Sequence, residues 1–361
     1  MNLRKIRIAI KNLTRNLYYR FFCILKKQNS IILYSSSNND QYGNITALAE
    51  EFKKRKIPTV SITAEWFFAN LYAGLRLLAS AKVIAIDASS PATVVPLIKK
   101  TILINCWHAL GAYKKIGFDA KRKGVDARRE EKRIRRIHRS LSYFITSSPY
   151  TSRIYAKAFH LEDCQMKAYG SPRMDAVLSS PRKAPELTSI LYAPTFRTKH
   201  STRFMPQLPD AKKIKDALAK KGISARLCFR SHPTVPGPFA SDGWEDWSQL
   251  PQLEALEQAS LLITDYSSIF FDFLPFCRPI LFYVPDYQLY IDHERELYFS
   301  PYELFPETTS SNEADLVIKI VENIGCPKNY DSLMERYLSS CDGTSTKRIC
   351  DFILSLAKEH Q

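Results

Sequence analysis

The chain predicts a two-domain α/β protein in which each domain is a parallel sheet with helices on both faces. Three observations predict it. A length of 361 residues leaves room for two domains of ordinary size. From residue 30 onward, short apolar runs alternate with helical patterns, the signature of a doubly wound parallel sheet. The alternation is interrupted by a polar, proline-rich stretch, Ser179–Pro185, which reads as the linker. A hydrophobic content of 45% and only 11 glycines support packed cores and exclude fibrous or largely disordered classes.

In the first series, Ser30–Ser35 reads as a strand, Asn44–Phe52 as a helix, Pro58–Ile62 as a strand and Glu65–Leu78 as a helix. Lys82–Asp87 and Thr101–Cys106 are apolar runs typical of strands buried on both faces. Arg128–His138 is a charged helix, Tyr143–Thr146 a strand and Pro149–Phe159 the helix after it. Past the linker, strands are expected at Ser189–Tyr192, Ala225–Phe229, Leu261–Thr264 and Pro279–Tyr283. Helices are expected near 211–220, 252–259 and 267–274, and 330–360 also reads as helical. The divisions are therefore a basic segment at 1–28, Rossmann-like domains at 29–183 and 184–335, and a C-terminal helix in 336–361 expected to pack back on the first domain. Two such halves joined by a linker make the GT-B architecture. Ligands of such sheets bind beyond the carboxyl ends of the strands, in the crevice between halves.

The net charge of +16 is concentrated in two places. Residues 1–27 carry eight Lys or Arg and no acid, and residues 114–139 carry twelve against four acids, so the rest of the chain is neutral. In the first segment the cations interleave with Leu3, Ile6, Ile10, Leu13, Leu17, Phe21 and Leu25, spacings that make one apolar helical face. A basic helix of that kind suits an anionic membrane surface. It lacks the uninterrupted apolar stretch of a signal peptide and is too charged to span a bilayer. Charge confined to two segments, with no zinc-finger, RRM or helix-turn-helix pattern, argues against a nucleic-acid partner. The eight cysteines form no CxxC pair and several lie in apolar runs, as in Leu227-Cys228-Phe229; they read as buried, reduced thiols of a cytosolic protein.

Motifs stand where strands end. Thr264-Asp265-Tyr266-Ser267-Ser268 leads from a strand into an apolar helical run, with Asp272 about one turn on. Backbone N–H groups at such a corner can hold phosphate, although a serine there is also an ordinary N-cap. Trp107-His108-Ala109-Leu110-Gly111 follows the run ending at Cys106. An imidazole has an unperturbed pKa of about 6.5 and can serve as a neutral base. Small residues beside it let a ligand approach the backbone. Arg230-Ser231-His232-Pro233 ends another strand, and Arg230 and His232 suit phosphate. Gly170-Ser171-Pro172-Arg173-Met174-Asp175 and Tyr192-Ala193-Pro194-Thr195-Phe196-Arg197 complete the set; each alone has a turn or cap explanation.

Taken in order, WHxxGxxKKxGFD, GSPRMD, YAPTFR, RSHP and TDYSSxxFDF, followed by Pro279–Tyr283 and Asp286, the motifs resemble the CDP-glycerol glycerophosphotransferase family of teichoic-acid primases and polymerases. The resemblance runs from about residue 100 to 300, and Ala109 stands where many relatives have Gly. It implies a GT-B-like enzyme that moves a polyol phosphate from CDP-glycerol, or a relative such as CDP-ribitol, to a lipid-linked or polymer acceptor and releases CMP. The 29–183 domain would then serve the acceptor and the 184–335 domain the nucleotide donor. His108 and His232 are the implied catalytic residues. Donor contacts carry over to Trp107, Ala109, Leu110, Gly111, Arg173, Pro194, Thr195, Arg230, Ser231, Ser267, Ser268 and Asp272. The implied place of work is the cytoplasmic face of the membrane, held peripherally. No firmly bound cofactor or structural metal is expected, since the chain has no DxD signature; Mg²⁺ assistance, the polyol, the acceptor and the oligomeric state stay open. The competing reading is a GT-B glycosyltransferase that uses a nucleotide sugar for envelope polysaccharide.

Overall fold

The computed structural model describes residues 3–358 apart from 37–42, 89–90, 92–93, 96, 99, 121–126, 139, 181–184, 200–201, 233–234 and 236–242. Most of the linker at Ser179–Pro185, part of the second basic run and Pro233 therefore lie outside the described residues. The chain divides into two compact units. One comprises Met1–Ala109, Val125–Ala176 and Ser339–Gln361; the other comprises Leu110–Gly124 and Val177–Leu338.

The first unit opens with helix α1 (Leu3–Leu25) and continues with β1 (Ser30–Ser35), α2 (Asn44–Lys54), β2 (Val60–Thr63), α3 (Ala64–Ala69), α4 (Leu71–Leu78) and β3 (Ala81–Ile86). After these come β4 (Ile102–Asn105), α5 (Ala127–His138), β5 (Tyr143–Ile145), α6 (Pro149–Phe159), β6 (Met166–Lys167) and α7 (Pro172–Ser179). The six strands are parallel in the order β2-β1-β3-β4-β5-β6. Every residue of β3 is buried, Lys82 included, and its apolar Val83–Ile86 run suits a central parallel strand. Ile31 and Leu33 of β1 and Val83 and Ala85 of β3 form one core with Leu48 and Phe52 of α2. Ile349 and Ile353, from the last helix of the chain (Ser345–Lys358), close the same core.

The helix expected at Glu65–Leu78 is broken at Asn70, with φ −116° and ψ 47°. The Asn70 carboxamide donates to the Trp66 carbonyl at 3.0 Å, an alternative to the helical ladder that asparagine readily offers. Helix α1 docks through Tyr19, which is fully buried, through Tyr18 against the ring of Tyr72 and through Phe22 beneath Arg76. Ile10, Leu13, Leu17, Phe21 and Ile24, at helical spacing, are left facing outward. Among the described residues no helix is long and apolar enough to cross a membrane.

The second unit holds β7 (Ser189–Tyr192), the antiparallel hairpin of β8 (Arg197–Lys199) and β9 (Thr202–Phe204), α8 (Ala211–Ala219), β10 (Arg226–Phe229), β11 (Glu245–Asp246) and α9 (Gln252–Gln258). It continues with β12 (Leu261–Thr264), α10 (Ile269–Phe273), β13 (Ile280–Tyr283), α11 (Tyr287–His293), α12 (Pro301–Leu304), β14 (Thr309–Ser310), α13 (Glu313–Asn323) and α14 (Asp331–Leu338). Its sheet is again six-stranded and parallel, ordered β11-β10-β7-β12-β13-β14. Ile190, Leu227, Ile263 and Leu281 pack on Ile214 and Leu218 of α8 and Leu316 and Ile320 of α13. The Leu110–Gly124 segment is stitched to this unit. The Tyr298 amide donates to the Tyr113 carbonyl at 2.8 Å, and Lys115 pairs with Glu296 at 2.6 Å. Two doubly wound parallel sheets are the architecture the alternating sequence pattern predicts.

Gly170 leaves β6 with φ +88°, and a Cβ there would collide with the Ser340 carbonyl oxygen and the Ser345 side chain. Gly170→Ala is expected to lose about 1–3 kcal/mol through left-handed strain and overpacking, read as a lowered denaturant midpoint in urea.

Candidate active site

In the first unit, β1, β3 and β4 are neighbours, and each strand's carboxyl end delivers polar groups to the same edge. Just past β3 stands Asp87, whose carboxylate accepts from the Ser36 amide at 2.9 Å and the Ser35 hydroxyl at 3.2 Å. Strand β4 ends at Asn105, whose Oδ1 accepts from the Trp107 amide at 2.8 Å. That bond closes a tight turn and places Trp107 at φ +52°, a left-handed conformation that costs a bulky residue about 1–3 kcal/mol. The Trp107 ring is wedged among Phe144, Tyr155 and Phe159, and His108 is exposed beside it. Nδ1 of His108 lies 3.4 Å from the Asp87 carbonyl oxygen. A carbonyl can only accept, so a hydrogen bond at this contact calls for the proton on Nδ1.

Asn44, the first residue of α2, joins this loop to the Gly170–Asp175 motif. Its Nδ2 donates to the Cys106 and Trp107 carbonyls at 3.0 and 2.6 Å, and its Oδ1 accepts from the Ser171 hydroxyl at 2.8 Å and the Arg173 amide at 3.0 Å. Trp107, His108, Ala109 and Arg173 are thus held as one assembly within this unit. Asp175 of the same motif has a different task. Its two oxygens accept from the Ser345 and Thr346 amides at 3.1 and 2.7 Å, capping the last helix.

In the second unit three adjacent strands, β10, β7 and β12, end at Arg230-Ser231-His232, Pro194-Thr195 and Asp265–Ser268. The Asp265 side chain has no solvent exposure. Its Oδ1 accepts from the Thr195 amide at 2.7 Å and from the Tyr266 amide, and its Oδ2 pairs with Arg197 at 2.9 Å. Arg197 also grips Asp286 with two bonds of 2.6 and 3.0 Å, and the Tyr266 hydroxyl donates to Asp286 at 3.0 Å. Burial alone would lift the Asp286 pKa; the bonds and charge of Arg197 outweigh it and hold the carboxyl below the usual carboxylate range. Leu110 and Gly111 enter from the 110–124 segment. Gly111 has φ +59°, and a Cβ on it would strike the Phe271 ring.

Other residues singled out by the sequence are placed as follows. Arg230 spends Nη1 on the Trp247 and Leu250 carbonyls, which anchors that loop, and burial lowers its pKa. The Ser231 amide donates to Ser248 Oγ at 2.9 Å, and the half-buried His232 ring stands edge-on to Phe196. Ser267 and Ser268 are half-buried; Ser267 Oγ accepts from the Ile269 amide at 3.3 Å, whereas Ser268, at the N-cap position, makes no capping bond. Helix α10 is only five residues long, so its dipole adds less at this corner than the longer helical run in the sequence suggests. Asp272 is buried within it. Among the described residues no three His, Cys, Asp or Glu side chains gather as a metal-ligand set.

Comparison with known proteins places the fold and motifs together. The family model described as CDP-Glycerol:Poly(glycerophosphate) glycerophosphotransferase matches residues 17–355. The chain belongs to this family. It is 30% identical, over 96% of its own length and 96% of the relative's, to the teichoic acid ribitol-phosphate primase of Bacillus spizizenii. It is 28% identical to the teichoic acid glycerol-phosphate primase of Bacillus subtilis, over 80% of this chain and 77% of that one. The wall teichoic acid polymerase TagF superposes with a TM-score of 0.79 at 18% identity over 99% of both chains, a likeness of fold. As a member of this family the protein is a transferase of the glycerophosphotransferase class. The family match favours that chemistry over sugar transfer.

Sequence reasoning missed Asn44, which reads as an ordinary helix start, and did not single out Lys114 within its quoted motif. Lys114 Nζ lies 3.4 Å from Thr195 Oγ1. Burial lowers its pKa from 10.5 to about 8, with Arg295 and Arg197 pushing the same way against Asp265 and Glu294. Between those two values the unfolded chain holds a proton that the folded one has released, so this group adds stability as pH rises through the window. Urea unfolding of wild type and Lys114→Met at pH 7.5 and pH 10 is therefore expected to show their difference moving in favour of wild type at the higher pH.

Proposed function

We propose that the protein transfers glycerol phosphate from CDP-glycerol to a hydroxyl of a lipid-linked acceptor in teichoic-acid or related envelope-polymer synthesis. The acceptor oxygen attacks the phosphorus that bears glycerol, the bond to CMP breaks, and the hydroxyl proton passes to Nε2 of His108. His232 and Arg230 offset charge on the departing phosphate, and Ser267 and Ser268 hold the pyrophosphate. Trp107, Ala109, Leu110, Gly111, Arg173, Pro194, Thr195, Ser231 and Asp272 shape the donor site. The observation that carries this reading is the His108 ring, exposed on a strained loop with Nδ1 against the Asp87 carbonyl. A proton on Nδ1, which that contact calls for, puts the lone pair of the neutral ring on Nε2.

Incubation with CDP-glycerol, CDP-ribitol and nucleotide sugars, together with a lipid-linked disaccharide, tests the reading by product mass and released nucleotide. CMP and a glycerol-phosphate increment are expected. Release of CDP or UDP would overturn phosphate transfer in favour of sugar transfer. A ribitol-phosphate increment would instead assign the five-carbon donor. His108→Ala and His232→Ala are each expected to lose at least about 10²-fold in rate while remaining folded.

We further propose that α1 seats the enzyme peripherally on the cytoplasmic face of the membrane. Its outward stripe of Ile10, Leu13, Leu17, Phe21 and Ile24 runs along a segment that carries eight cations and no acid between residues 1 and 27. Apolar area and positive charge on one helix suit anionic headgroups. The basic residues of 114–139 would draw a polyanionic acceptor to the protein. Deleting residues 1–27 is expected to abolish co-sedimentation with anionic liposomes while donor hydrolysis in solution persists; unchanged co-sedimentation would remove the anchor.

A further inference from the structure

We propose that Asn44 is a positioning residue for the reaction: its carboxamide clamps the left-handed Trp107 and the turn before Arg173, and thereby fixes the direction in which His108 presents its ring. The inference rests on the reading of His108 as the base.

Asn44 is almost fully buried, at 4% exposure. A carboxamide has two N–H donors and an oxygen with two lone pairs. Here Nδ2 meets the Cys106 and Trp107 carbonyl oxygens and Oδ1 meets the Ser171 hydroxyl and the Arg173 amide, so each end has two partners. The partners also fix which end is which, because carbonyls only accept and the Arg173 amide only donates. They lie 62 to 129 residues away in sequence, in two separate motifs. The two carbonyls that Nδ2 holds flank the φ of +52° at Trp107, with the Asn105 side chain bonded to the amide of the same residue. A left-handed tryptophan persists only where its surroundings over-determine it. The next residue is His108, and a relaxation at Trp107 swings the imidazole away from the Asp87 carbonyl. Aspartate matches the shape of asparagine but replaces the donor with an oxygen facing two carbonyls. Serine keeps a donor too short to reach both groups.

The test uses the full chain, the most active CDP-polyol and the lipid-linked disaccharide. Asn44→Asp is expected to lower kcat about 10- to 100-fold with donor KM changed less than about threefold, as a misaligned base would. On a His108→Ala background the same change is expected to cost less than about threefold, because a residue acting through His108 has nothing left to align. Asn44→Ser gives the same pattern where the aspartate variant folds poorly, with folding followed by circular dichroism. Wild-type kcat in both variants, or an equal loss with and without His108, overturns the assignment while leaving the transfer reading intact. Full activity in His108→Ala, or no transfer by wild type from any CDP-polyol, overturns both.

Discussion

A carboxylate sealed from water must find partners for both of its oxygens, and Asp265 imposes that requirement on the second unit. The exit turn of β7 has to bring the Thr195 amide to it, and the exit turn of β12 has to fold back so that the Tyr266 amide reaches the same oxygen. The other oxygen needs a cation, and Arg197 supplies it from the start of β8. Arg197, itself nearly buried, then needs a second anion, and Asp286 after β13 provides it. Residues distant in sequence are therefore tied to one edge of the sheet by a single chain of charge compensation. The Tyr266 and Tyr290 rings beside the guanidinium add cation–π contacts to the same network.

In the first unit the link between the His108 loop and the Gly170–Asp175 motif is made by a neutral group. Asn44 joins two motifs through dipoles alone, and Asn105 shapes the turn that begins beside it. The choice suits the chemistry. A charge bonded directly to the His108 loop would bias the basicity of the imidazole, whereas a carboxamide orients the loop without adding charge. In the second unit the corresponding network, Asp265–Arg197–Asp286, is ionic.

Much of this was legible in the sequence where a single physical cause dominates. Ser189–Tyr192 and Leu261–Thr264 were readable to the residue, because a strand buried on both faces shows as a short run that is apolar but for a hydroxyl at one end. Pro149–Phe159 was equally clear, with Ser148 capping the helix and Pro149 opening it. The two-residue strands β6, β11 and β14 and the β8–β9 hairpin were not legible, since so few residues carry no period. The break at Asn70 was hidden because one side-chain bond overrides an otherwise helical run. At the candidate site, His108 and the serine corner could be seen because local sequence places them at strand ends. The role of Asn44 could not, because its partners are brought to it only by the fold. Asp175 sits in a motif that reads as ligand-binding, yet it caps a helix at the far end of the sequence.

That distant helix, Ser345–Lys358, bears on how the protein comes into being. Its Ile349 and Ile353 complete a core whose other half, Leu48 and Phe52, is encoded far upstream. A ribosome exposes the early half long before it has made the late one, and the whole second unit is synthesised in between. The nascent first unit therefore waits with an uncovered greasy face, a period in which chaperones or a neighbouring lipid surface would have most to offer it.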